Sequence, residues 1–114
     1  MKVGDYVRTN VERLNIQQIC KIKKILFDDF IFTDRGYYDK EYIIKSSPNI
    51  IDLIEVGDYV NGWKITTIDK RNNKLYAEYD DGYLIQTISK KNIKSIVTKE
   101  QFESMQYNLE SEVN

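Results

Sequence analysis

The side chains able to do chemistry in this chain are aspartate, glutamate, lysine, tyrosine and a single cysteine; histidine is absent. Its absence removes the commonest general base and the commonest neutral metal ligand. A Ser-His-Asp relay, a Cys-His pair or a histidine zinc site therefore cannot be assembled from these residues. The acidic pairs Asp28-Asp29 and Asp80-Asp81 are the first places to look for acid–base or metal chemistry. Neither follows the Asp-x-Asp-x-Asp-Gly order of a calcium loop. Adjacent residues on a strand also point to opposite faces, which is poor geometry for shared work on one substrate. Both pairs read as turn chemistry. Cys20 lies in the strand-like segment QICKIK with no second cysteine to pair with, and reads as a small buried hydrophobe. The expectation is a protein that is not an enzyme and holds no cofactor or metal.

Two residue classes remain that suit binding. Lys21, Lys23 and Lys24, and later Lys90, Lys91, Lys94 and Lys99, could meet nucleic acid. Acidic residues are interspersed among them, and Lys+Arg 17 against Asp+Glu 18 gives a net charge of −1. That balance predicts no strong general affinity for DNA or RNA. The aromatics are more unusual: nine tyrosines and one tryptophan in 114 residues. Tyr37, Tyr38 and Tyr42 cluster in the first half, and Tyr76, Tyr79 and Tyr83 in the second. Tyr37 and Tyr38 cannot both face inward on a regular strand, so part of this set must reach the surface, where tyrosine and tryptophan anchor interfaces. The candidate partner-binding residues are Asp34, Tyr37, Tyr38, Trp63, Tyr79, Asp80, Asp81 and Tyr83, with Trp63 expected half-buried between the halves.

These side chains must be positioned by short strands. A hydrophobic content of 41% with 31% charged residues fits a globular chain. No apolar run is long enough for a membrane helix and no leader pattern opens the sequence, so a cytoplasmic protein is expected. The pentapeptide Val-Gly-Asp-Tyr-Val occurs twice, in MKVGDYVRT and IEVGDYVNG. The segments after each copy run in one order: an Ile- and Lys-rich strand, an aromatic strand ending in Asp-x-Gly-Tyr, another strand and a capped helical turn. The offsets from Gly4 to Gly57, Gly36 to Gly82 and Ser47 to Thr98 differ by only a few residues, as in a duplication with altered loops. Val3 and Val7 are placed on one face of their strand, with Tyr6 and Arg8 on the other. TDRGY and YDDGY predict three-residue hairpins with a left-handed glycine, and Asn72-Asn73 another turn. Pro48 suits a first helical position after Ser47. Thr98 and Gln101 have capping-box spacing, with Phe102 and Met105 on one helix face.

The fold expected is mainly β: two tandem SH3-like antiparallel units, residues 1–54 and 55–106, each closed by a short helical turn and followed by a polar tail, 107–114. Units this small are marginal alone, so Ile50, Ile51, Leu53 and Ile54 are placed between them.

The segments SPNIIDLIEVGDYVNG and IVTKEQFESMQY, with MKVGDYVRT, resemble a group of small phage and prophage accessory proteins of low-GC Gram-positive bacteria. The resemblance implies a protein acting in the host cytoplasm and brings no catalytic residues. It implies a non-enzymatic inhibitor of a host protein, with an anti-CRISPR or other anti-defence role as the sharpest form. The alternative is a small nucleic-acid-binding module using the lysine faces.

Overall fold

A computed structural model describes residues 1–11, 16–27 and 30–105; Asp28-Asp29 and the tail from 106 lie outside the described residues. The chain is mainly β, with antiparallel strands and short helical turns. The first half holds β1 (Tyr6–Val11), β2 (Ile16–Phe27), β3 (Phe30–Thr33), β4 (Gly36–Asp39) and β5 (Ile43–Ser47). They form one sheet in the order β4-β3-β2-β1-β5. The second half holds β6 (Tyr59–Val60), β7 (Trp63–Lys64), β8 (Thr67–Asp69), β9 (Lys74–Glu78), β10 (Leu84–Ser89) and β11 (Ile96–Val97). A helix, α1 (Lys99–Met105), follows.

The order of pairings is the same in both halves. β1 pairs with β2 and β5, as β6 pairs with β7 and β11. β3 pairs with β2 and β4, as β9 pairs with β8 and β10. The difference is a break. The strand corresponding to the continuous β2 is divided into β7 and β8, so the second half forms two three-stranded sheets, β10-β9-β8 and β11-β6-β7. Neither half closes into a barrel among the described residues, where full SH3-like barrels were expected.

The repeated pentapeptide makes the same turn twice. Asp5 N donates to Lys2 O and Asp58 N to Glu55 O, both at 3.0 Å. The glycine at the third turn position takes a positive φ, +93° at Gly4 and +99° at Gly57, the requirement of a type II turn. The aspartate then reaches back to the backbone N–H three residues earlier, Lys2 at 2.9 Å and Glu55 at 2.8 Å. Gly4 N also donates to Ile22 O, and Gly57 N to Ile65 O. Val3 and Val56 occupy the second turn position and are exposed. Val3 therefore does not share the buried face of Val7, because the strand begins only after the turn.

β1 and β2 form a ribbon with two buried faces. Val7, Cys20 and Ile22 pack with Ile31, joined by Tyr38 and Ile43. Arg8 points the other way, and Ile19, its cross-strand partner, packs against the second cluster of Ile51, Ile54, Val60, Ile65, Leu75 and Ile88. Ile51 and Leu53 lie on the helical turn Ile50–Leu53 between the halves, both fully buried.

Local connections depart from expectation in three places. Asn49 caps that helical turn through Ile51 N, and Ser47 Oγ accepts from Asn49 N at 3.0 Å. Pro48 thus precedes the cap instead of opening the helix. TDRGY makes a two-residue connection, with Thr33 paired to Gly36, because Thr33 Oγ1 accepts from Arg35 N and donates to Gly36 O. In α1, Phe102 stacks on Tyr59 at 4.2 Å while Met105 is exposed. YDDGY does form the three-residue loop, with Tyr79 N on Tyr83 O, Gly82 at φ +83° and a register shift following in β10. The capping box is made reciprocally: Gln101 N donates to Thr98 Oγ1 at 3.1 Å and Thr98 N to Gln101 Oε1 at 3.0 Å.

Candidate partner-binding surface

Two hairpins carry most of the candidate residues. The β3–β4 hairpin sets Tyr37 on the solvent face, 61% exposed, against Phe30 and Phe32 with ring centroids 6.0 and 4.8 Å away. Tyr38, one residue on, turns inward as alternation demands. It packs on the first core, and its hydroxyl accepts from Gln18 Nε2. Burial raises the Tyr38 phenol above its ordinary range. Asp34 is exposed at the turn, but its carboxylate accepts from Lys21 N at 2.9 Å and its own N–H donates to Lys21 O. Its first task is holding the hairpin on β2. A recess of about 400 Å³ opens beside this turn between Phe30, Arg35, Tyr37 and Tyr42.

The β9–β10 hairpin repeats the arrangement. Tyr79 and Tyr83 are 61% and 70% exposed, their centroids 6.4 Å apart. Asp80 and Asp81 form the exposed loop, and Asp81 Oδ1 accepts from Tyr83 N at 3.0 Å. Leu84 is exposed beside them. Loop closure therefore explains Asp81, whereas the three tyrosine rings stay largely exposed despite their ring contacts; such rings are good anchors because they bring large area at low entropic cost. Trp63 stands on the edge strand β7, opposite Val60, and is 41% exposed. Each ring pair stays within its own hairpin.

Cys20 is buried, and burial raises its thiol above the ordinary range. Among the described residues, no three His, Cys, Asp or Glu side chains gather as metal ligands. None of the described helices is long and apolar enough to cross a membrane.

The most heavily bonded polar group is one the sequence did not single out. Arg8 is fully buried. Its Nη1 donates to Leu53 O at 2.9 Å and Asp58 Oδ2 at 2.6 Å, its Nη2 to Asp58 Oδ1 and Glu100 Oε2, both at 3.2 Å, and its Nε to Gln17 Oε1. Burial lowers the Arg8 pKa, but the hydrogen bond and charge of Asp58, with Glu55 and Glu100, more than offset this and hold it above the ordinary value. Asp58 also accepts from Glu55 N and Lys99 N. Every polar atom of the pair is used within the fold, which marks a structural lock between the halves. The sequence placed Arg8 only on the strand face opposite Val7, and its partner Asp58 lies 50 residues away. Comparison with known protein families, with characterised proteins and with solved structures found no match.

Proposed function

We propose that this protein is a non-enzymatic binding module whose aromatic hairpin rims contact another protein. One observation carries the reading: Tyr37, Tyr79 and Tyr83 are exposed at corresponding hairpins, each beside an acidic turn. Each half is an SH3-like unit, a reading supported by the shared order of pairings and by the helical turns 40–42 and 90–92 that precede β5 and β11. Anchoring comes from the rings, while Asp34, Asp80 and Asp81 speed encounter with a basic target. The resemblance to phage accessory proteins supports a finer form. The partner is then a bacterial host protein in the cytoplasm, a CRISPR effector or another defence protein, which binding inhibits.

Photo-cross-linking tests the surface. A benzoylphenylalanine placed at position 37, 79 or 83 should give a discrete protein adduct in a bacterial lysate, and one placed at the exposed Lys45 of the edge strand β5 should not. Adducts at position 45 alone would move the contact surface to that edge.

A further inference from the structure

A groove between the two halves opens beside the turn of the β3–β4 hairpin. One part, of about 440 Å³, lies among Tyr6, Ile50, Lys90, Lys91 and Ile93. The adjoining part, of about 200 Å³, shares Tyr6, Ile50 and Ile93 and adds Lys21, Arg35 and Lys94. Five cations from three segments of the chain therefore line one depression. Its one lining carboxylate, Asp34, is bonded to Lys21 N. Among the described residues, the ion pairs belong to Arg8 and Lys99, so none of the five cations has an acidic partner. Such a concentration within a chain of net charge −1 favours an anionic ligand.

The lining distinguishes between polyanions. The backbone along the groove is already engaged. Lys90 N donates to Asn73 O, Lys94 N and Ser95 N donate to Asn61 Oδ1, and Lys21 N donates to Asp34. An acidic peptide would find charge here, but only a two-residue stretch of edge strand, β11, which reaches the groove at Ile96, to pair with. A single nucleic-acid strand needs only cations for its phosphates and an aromatic face for a base. Tyr6 lines both parts of the groove, and Lys21 Nζ stands 5.8 Å from its ring centroid.

We propose that this groove binds single-stranded nucleic acid, with Lys90, Lys91 and Lys94 on phosphates and Tyr6 stacked on a base. It is a second surface that borders the first rim at Asp34 and Arg35 but contains none of the exposed tyrosines. The test is fluorescence anisotropy of labelled oligothymidylate and oligouridylate titrated with the full chain. Saturable binding is expected with a dissociation constant on the order of 10⁻⁶–10⁻⁵ M at low salt, weakening as salt rises with a log–log slope of about −0.7 per phosphate neutralised. The exposed pair Lys91→Glu and Lys94→Glu should weaken it at least about tenfold, through lost phosphate contacts. Lys45→Glu, outside the groove, should leave it unchanged, with circular dichroism confirming that each variant is folded. No saturable binding up to about 1 mM, beyond the ordinary non-specific range, would overturn the proposal. So would equal loss in Lys45→Glu, or an oligoglutamate that binds as tightly as the oligonucleotide.

Discussion

Tyr37 and Tyr38 are neighbours in sequence and opposites in environment. One rests on Phe30 and Phe32 in solvent, and the other seals the first core beside Val7 and Ile31. Tyr38→Ala should therefore cost about 1–3 kcal/mol of stability, whereas Tyr83→Ala should stay within about 0.5 kcal/mol. Urea titration of the two variants checks this; equal losses would show that the exposed rings also hold the fold. Burial raises the pKa of both Tyr38 and Cys20. The fold favours their neutral forms, so the stability they contribute is complete below the unfolded values and is lost as pH rises through the raised folded ones. Thermal stability should hold through neutrality and decline above roughly pH 9, where an unfolded thiol and then a phenol ionise. Alternation showed from sequence alone that one tyrosine of the pair must be exposed, but not which. That choice depends on the core beneath β4.

Turns and caps were read in part: the YDDGY loop formed as expected, whereas TDRGY closed tighter and Pro48 fell outside its helical turn. The Thr98 and Gln101 capping box is made as its spacing predicts. Thr98→Ala should cost about 1 kcal/mol, the ordinary value of an N-cap. It also removes the hydroxyl that donates to Gln17 O on β2, so α1 should loosen from the first half, seen as faster amide exchange in both. Unchanged exchange at β2 would show that this tie carries no weight. The Val-Gly-Asp repeat was readable as a repeat, but its physical cause is the positive φ at Gly4 and Gly57 together with the aspartate's backward bond. Asn61-Gly62 is a hairpin signal that the reading of strands alone missed. Both residues take positive φ between Val60 and Trp63, the habit of an Asn-Gly two-residue turn. The break between β7 and β8 was not readable, since a run of strand-forming residues does not show where pairing changes partner.

The two halves are related by their pairings yet are not separate bodies. The β1–β2 ribbon closes the first core with one face and meets the second half with the other. Arg8 joins Asp58 and Glu100 across that boundary. Removing Arg8 would leave Asp58 buried without its main countercharge, a loss of about 3–5 kcal/mol. The wild-type chain should accordingly unfold in one transition, with Trp63 fluorescence in the second half coinciding with far-ultraviolet circular dichroism of both. Two separated transitions would show that the ribbon does not couple them. The lock could not be read from sequence, and of the basic groove only the lysines Lys21, Lys90, Lys91 and Lys94 could, not their convergence. Their residues lie far apart along the chain, and only folding brings them together.

The central claim is that the aromatic rims are a protein-binding surface. Its most direct test is affinity capture from a bacterial lysate, comparing the wild-type chain with a variant carrying Tyr37→Ala, Tyr79→Ala and Tyr83→Ala. The two must share a melting temperature. A discrete protein should be retained by the wild type and lost by the variant, since replacing one anchoring ring costs about 1–4 kcal/mol of binding. The same proteins retained by both chains would contradict it.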